Sequence, residues 1–565
     1  MDKSIYGGGF GSGTTVTNSE INIESGAAVT GSIFGGGELG KVTNSTVNLN
    51  GGTASAVFGG GNQVGVSGTV RVNSGAGSTA GDIYGGSNSS GTTAAPTVTV
   101  AGTVDNVYGG GLGSGTTTTS PSVIVSNGAS VTGNVFGGGD AGAVTGGATV
   151  RVEGGTAAAV YGGGNAVGVT GAVAVSTLPG STITDLYGGS NSTGTVTSPT
   201  LTIQGTVTNA YGAGKGQLTI TNAPVIQADD GAVITNLYGG GEQGQTQSGT
   251  SVTLNSGSRV DNVFGGGNAA GVAGTVSVKT NSGSRARNIY GGSNSTGTVD
   301  TVTVTVNGTL GGTGTVGTAD GPGAVYGGGL GAQTSTGTPT VEIGATGIIT
   351  GEVFGGGAKG PITGSTTVTL LPSSSITGNV YAGGDAAIVN GSTWLEAKDG
   401  SVITGSLFGG GKGTTAEIKT NTRVIAFAHV TGNVFGGGAE GAVRGSTHVD
   451  IAKGVVDGDG VNTGNVFGGS DKAKIYQNTQ VHIGKKAAEG TGTSVQGATL
   501  SIKGTVFGGG NTTDNGNAFD ASDPFVLGNT EVSVEATDYN TANFNIAKKA
   551  SWETAICVRS KAAVP

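Results

Sequence analysis

Apolar and polar residues alternate in short bursts along this chain, and glycines punctuate the bursts. Ala148-Thr149-Val150-Arg151-Val152-Glu153 alternates with a period of two, the pattern of a strand buried on one face. Thr301-Val302-Thr303-Val304-Thr305-Val306 does the same without interruption. No segment sustains the spacing of an amphipathic helix, so the pattern predicts an all-β protein. A second signal sits between the bursts: an aliphatic residue, an aromatic and a run of glycines, as in Val135-Phe136-Gly137-Gly138-Gly139. Nineteen aromatics hold this place, from Tyr6, Phe34, Phe58 and Tyr84 to Phe435, Phe467 and Phe507.

The unit between two such motifs reads as strand, bend, strand, bend. After Phe136 the glycines 137–139 turn the chain, Ala143-Val144 is a short extended piece, and Gly146-Gly147 is a second bend. The strand 148–153 follows, Gly154-Gly155 turns again, and Ala159-Val160 leads to Tyr161. Successive motifs lie about 26 residues apart. A longer period is superimposed. Phe58, Tyr161 and Phe264 stand 103 residues apart and each precedes Gly-Gly-Gly-Asn, while Tyr84, Tyr187 and Tyr290 share that spacing and each precedes Gly-Gly-Ser-Asn. Four units therefore make one super-repeat.

Such self-similarity defines an architecture in which each unit buries its apolar face only against its neighbours. The expected fold is a parallel β-helix, or β-solenoid, of about 19 coils of about 26 residues. It would be right-handed by the general preference of parallel crossovers, and on the order of 90 Å long at about 4.8 Å per coil. Residues 1–325 form the regular part, with three four-coil super-repeats. Residues 326–510 are a less regular continuation, and 511–565 a C-terminal cap or junction. The boundaries follow an insertion at Gly311 to Gly321, a rise in charge beyond it, and the loss of the motif after Gly510. Glu531-Val532-Ser533-Val534-Glu535 reads as one strand in that tail, among Phe519, Phe525, Tyr539, Phe544 and Trp552.

Composition narrows the function. Glycine accounts for 121 of 565 residues, about three times ordinary usage, and only 11 are proline, which excludes collagen and proline-rich linkers. The net charge of −9 is spread thinly, without a basic face, so nucleic acid is not an expected partner. The lone Cys557 excludes a disulfide framework and any multi-cysteine zinc site. No apolar run is long enough for a membrane-spanning helix, and no signal peptide precedes the repeats. Met1 reads as a fragment edge, since the chain enters a repeat at Ile5. An uncapped end favours a fragment or end-to-end stacking, because open strand edges associate.

Candidate chemistry is sparse. Gly411-Lys412-Gly413-Thr414 lacks the hydroxyl residue and the helix of a phosphate-binding loop. The residue after the glycines is often polar: Glu38, Asn62, Asp140, Asn165, Glu242, Asn268, Asp385. A calcium row would need six or more clustered oxygens, whereas an asparagine ladder needs only residues that tolerate left-handed corners. Polysaccharide-cleaving β-helices need clustered carboxylates with Lys, Arg or His. The nearest set is Asp229-Asp230, Lys215 and Glu242. His429, His448 and His482 are the only histidines, and the last two sit in alternating strands where an outward, solvated ring is expected. Threonine runs such as Thr116 to Thr119 are too sporadic for an ice-binding face. The aromatic column has two readings. Period-two alternation puts Val135 and Phe136 on opposite faces, which would expose an aromatic stripe suited to sugars, partners or self-association. Alternatively, the glycine bend buries the rings as a stacked ladder that must partner each tyrosine hydroxyl.

Units such as Gly133-Asn134-Val135-Phe136-Gly137-Gly138-Gly139, continuing to Thr149-Val150 and Val152, resemble the glycine-rich tandem repeats of bacterial cell-surface parallel β-helix adhesins. The resemblance covers residues 4 to 510. It implies export, surface display, and adhesion or scaffolding. A kelch propeller shares the aliphatic-aromatic-glycine strand but has about twice this period. The expectation is a non-enzymatic extracellular stalk or adhesin with no cofactor or metal, binding glycans, host or cell-surface proteins, or itself end to end. The alternatives are a polysaccharide lyase or hydrolase and a self-assembling fibre.

Overall fold

A computed structural model describes residues 3–311, 321–458, 464–484, 500–511, 526–534 and 544–546, with residues 544–546 described through their backbone alone. Among the described residues there is no helix, and the chain winds through about 17 turns of parallel β-solenoid at about 26 residues per turn. The sequence count of 19 exceeds this because nineteen motifs bound only eighteen intervals, and the last intervals run through undescribed residues. Most of the insertion after Gly311, and Asp459, Lys485, Lys486, Phe519, Phe525, Glu535, Tyr539, Trp552 and Cys557, lie outside the described residues. The chain divides into two compact units, residues 1–261 with 265–274, and 262–264 with 275–565.

In the first unit each coil contributes to two parallel sheets. The strand Ser130–Phe136 pairs with Thr103–Tyr108 on one side and Thr156–Tyr161 on the other. In the second sheet Ser122–Val125 pairs with Ala148–Val152, placing Val123 beside Val150 and Val125 beside Val152. These four valines have no solvent exposure, as the alternation in 148–153 requires. Between the sheets lies the glycine corner, where Gly137 N–H donates to Tyr161 O at 2.8 Å and Gly138 N–H to Gly163 O at 3.0 Å. A Cβ on Gly137 would stand 2.5 Å from the Gly162 carbonyl oxygen and 3.1 Å from Val150 Cγ2. Only glycine allows the coils to approach this closely. At the opposite bend Ser120 and Ala223 take positive φ, 43° and 41°, each before a proline that holds the corner in place of a glycine pair.

In the second unit the long strands Thr366–Leu370, Thr393–Ala397, Thr422–Ala426, Thr447–Ile451 and Thr479–Ile483 stack in register. Thr530–Val534 adds to the last of them, and Phe544–Ile546 pairs with Leu500–Ile502, so strands beyond residue 510 continue both sheets. The first residue of each long strand is a buried threonine whose hydroxyl donates to a corner carbonyl. Thr366 reaches Ala382 O at 2.6 Å, and Thr422 and Thr447 reach Gly436 O and Gly468 O at 2.5 Å. Ile362, Val389, Ile418, Val443 and Ile475 form an interior column.

The aromatic column is buried in both units, which corrects the exposed-stripe reading. Ring centroids from Tyr6 to Phe34 and on to Tyr238 are 4.6 to 5.0 Å apart and nearly parallel. The same spacing runs from Phe264 to Phe507. Alternation does put the aromatic opposite its inward aliphatic neighbour, yet each ring face is covered by the rings one coil away. In the second unit the ring column forms its own cluster, with Ala439 of a glycine corner packed against it. Tyr6, on the first described rung, is 37% exposed.

Candidate functional site

The outward positions of the strands are where chemistry can sit, and most are occupied by ladders between coils. In the post-glycine column, Asn62 donates to Glu38 at 2.7 Å, Asn88 to Asn62 at 2.7 Å, Asn165 to Asp140 at 2.6 Å and Asn191 to Asn165 at 2.7 Å. This is the asparagine ladder anticipated from the sequence. Three of the tyrosine hydroxyls have side-chain partners as well. Tyr187 donates to Glu242 at 2.6 Å and Tyr84 to Asp82 at 3.3 Å, while Tyr381 accepts from Asn379 at 3.1 Å. Burial, reinforced by that carboxylate, pushes the Tyr187 phenol far above its ordinary value. Tyr6 is raised to about 12, by burial first and then by Glu38.

The acidic set suggested by the sequence is not assembled. Asp229 and Asp230 lie in the turn after Val225–Ala228, where Asp229 accepts from Asn255 at 2.6 Å. Lys215 and Glu242 lie at the glycine corner, on successive coils linked by Gln243 N–H to Lys215 O. Glu242 is engaged by Tyr187. The post-glycine Lys412 pairs with Glu352 at 2.7 Å and stands 3.9 Å from Asp385, its ammonium 5.8 Å from the centre of the Phe354 ring.

One cluster in the second unit is different. Among the described residues, the only set of three His, Cys, Asp or Glu side chains with ligand atoms within 4.8 Å of one another is His448, Asp450 and His482. The fold builds it by register. In Thr447–Ile451 the threonine, Val449 and Ile451 point in, leaving His448 and Asp450 outward on one strand. One coil on, Gln480 stacks on His448 and His482 on Asp450. One coil back, Arg423 precedes His448 and in turn follows Trp394.

His448 Nε2 lies 2.9 Å from Asp450 Oδ1 and His482 Nδ1 lies 3.4 Å from the same oxygen. The Arg423 guanidinium meets Asp450 Oδ2 through Nε and Nη2, each at 3.1 Å. Asp450 is only 3% exposed. Burial alone would raise its carboxyl, but hydrogen bonds from His448 and His482 and the charges of His448 and Arg423 hold it well below the usual range. The two imidazoles meet edge to face at 4.5 Å. The Arg423 guanidinium lies 4.7 Å from the Trp394 ring centre.

His448, Gln480, Arg423 and Trp394 line a groove of about 470 Å³ whose other walls are hydroxyl and amide side chains, among them Thr367, Ser392 and Asn421. Comparison with protein-family models and with curated protein sequences finds no match. The chemistry must therefore be read from the residues themselves.

The expectation of solvated outward histidines holds for direction but not for environment, because Asp450 draws both rings into one network. His429, the third histidine, stands apart and pairs with Asp457 at 3.1 Å. The signal for the cluster was available in the motif spacing. Phe435 and Phe467 are 32 residues apart, and 32 residues beyond His448 and Asp450 stand Gln480 and His482.

Proposed function

We propose that this chain is a rigid, non-enzymatic scaffold displayed at the bacterial surface or outside the cell, a stalk or adhesin that binds through side-chain rows on one face of its solenoid. The observation that carries this reading is the ladder construction. Neighbouring coils tie their outward amides, carboxylates and rings to one another at hydrogen-bond and stacking distance, so the surface is a fixed lattice rather than a set of mobile groups. A lattice pre-organised in this way loses little entropy on binding. The groove beside Trp394 and Arg423 supports glycans as the ligand class, since it joins an aromatic surface to hydroxyl, amide and cationic donors.

Binding of the purified chain to arrayed neutral and acidic glycans tests this reading. Retention that drops at least tenfold in Trp394→Ala supports it. Absence of binding to every glycan, or binding indifferent to Trp394, contradicts the assignment of the groove. Antibody labelling of intact cells of the source organism tests surface display.

The His448, Asp450 and His482 cluster favours one alternative, a polysaccharide-active enzyme, because it sets potential acid–base groups beside a groove. Release of reducing ends or unsaturated products from acidic polysaccharides, abolished in His448→Ala, would establish turnover and displace the scaffold reading.

A further inference from the structure

The His448, Asp450 and His482 cluster has the geometry of a cation site, with one ligand atom from each residue within 4.8 Å of the others. The Gln480 amide nitrogen donates to Glu531 Oε2 at 3.3 Å, which turns Gln480 Oε1 toward His448 Nδ1 at 3.1 Å. An amide oxygen only accepts, so Nδ1 carries the proton. His448 Nε2 faces Asp450 Oδ1 at 2.9 Å, a contact that holds either a second ring proton or a cation. His482 Nδ1 approaches the same oxygen. The three atoms are close enough to share one cation.

The donor set is complete in the sense metal sites require. Two imidazole nitrogens and one carboxylate oxygen suit zinc and neighbouring transition metals rather than calcium or magnesium. Ligands held about 2.0–2.1 Å from a tetrahedral ion stand about 3.3 Å apart; the two edges to Asp450 Oδ1, 2.9 and 3.4 Å, bracket that figure, and all three atoms lie within 4.8 Å of one another. Outer partners are in place too. Gln480 orients His448, and Arg423 occupies Asp450 Oδ2, leaving Oδ1 free to ligate.

We propose that His448 Nε2, Asp450 Oδ1 and His482 Nδ1 bind one transition-metal ion of the zinc class, with its remaining coordination position open to a further ligand. Three protein ligands with an open position is the arrangement of a metal that receives a further ligand, in contrast to closed four-ligand structural sites. The inference stands on the cluster geometry and does not require the scaffold reading.

The test uses the untagged full chain, stripped with chelator and titrated with Zn²⁺ by calorimetry and with Co²⁺ by visible absorption. One equivalent should bind, with the d–d bands of a low-symmetry nitrogen and oxygen site. The double variant His448→Ala/His482→Ala should weaken binding at least a hundredfold, and His429→Ala should leave it unchanged. Gln480→Ala keeps all three ligands and should weaken binding about tenfold, the lower end for loss of an orienting partner. Failure of the parent chain to bind a stoichiometric ion overturns the proposal, as does binding that survives in the double variant. If the double variant does not fold, parent-level affinity in Gln480→Ala overturns it.

Discussion

Replacing Gly137 by alanine should open the solenoid locally, and the structure sets the size of the effect. The new methyl would sit 2.5 Å from the Gly162 carbonyl oxygen and 3.1 Å from Val150 Cγ2. The first contact is with backbone, which cannot rotate away, so successive coils must separate. Overpacking of this kind costs about 1–3 kcal/mol. The separation also stretches the bonds from Gly137 to Tyr161 and from Gly138 to Gly163, now 2.8 and 3.0 Å, each worth about 1 kcal/mol. The total is roughly 3–5 kcal/mol. Gly128→Ala is the matched control. Its φ is +79°, but a Cβ there meets nothing within 4 Å, so only the left-handed backbone penalty of about 1–2 kcal/mol applies. Repeat arrays open locally rather than in one global step, so amide hydrogen exchange on peptides spanning residues 134–164 is the appropriate assay. Protection there should fall by roughly 10²–10³-fold in Gly137→Ala and by about tenfold in Gly128→Ala, at about 1.4 kcal/mol per factor of ten. Equal losses in the two variants, or a larger one in Gly128→Ala, would refute the claim that coil-to-coil contact makes glycine obligatory in the corner.

Two further outcomes follow from the ladders. Tyr84, Tyr108, Tyr161, Tyr187 and Tyr211 are all pushed upward, burial being the largest cause at each. A phenol with a raised folded pKa contributes stability that is complete below its unfolded value near 10 and is lost as pH rises toward the folded value. Each should cost about 1.4 kcal/mol per pH unit above 10. Phenolate absorbance should therefore appear together with loss of β-sheet circular dichroism, and ionisation of all five rings in a folded chain would contradict their burial. Thr422→Val should leave the Gly436 carbonyl without its hydroxyl donor and cost about 1–3 kcal/mol. Exchange protection around residues 422–436 measures it, and an unchanged value would show that the bond contributes nothing.

The fold was legible because one motif repeats and the apolar positions alternate between its copies. Val123, Val125, Val150 and Val152 lie inside as their spacing required. The fate of the aromatic column was not legible, because alternation speaks only of direction. Phe136 leaves its strand opposite Val135 and is nonetheless covered, by Tyr108 and Tyr161 stacked at 4.8 and 4.9 Å. That cover comes from neighbouring coils, which a single repeat does not reveal. The buried hydroxyl bonds of Thr393, Thr422 and Thr447 were hidden for a related reason: a threonine opening a strand looks like an ordinary polar position until the opposite corner is placed across the interior. His448 and His482 show the limit most clearly. Each reads as solvated within its own strand, and only the 32-residue offset, longer than the usual repeat, puts His482 beside Asp450. Asp229, Asp230, Lys215 and Glu242 are the converse case. They are close in sequence, but the coil distributes them between two different corners.

Stacking of consecutive repeats underlies every conclusion above, and a cysteine pair tests it directly. Ile124 and Arg151 are outward register partners on adjacent coils, and Ser176 follows Arg151 on the next. In a Cys557→Ser background, Ile124→Cys with Arg151→Cys sets the two Cα atoms about 4.8 Å apart, within disulfide reach. Ile124→Cys with Ser176→Cys sets them about twice as far, beyond it. The account predicts that mild oxidation cross-links the first pair within the chain and leaves the second as free thiols. Cross-linking in the second pair, or free thiols in the first, would contradict it.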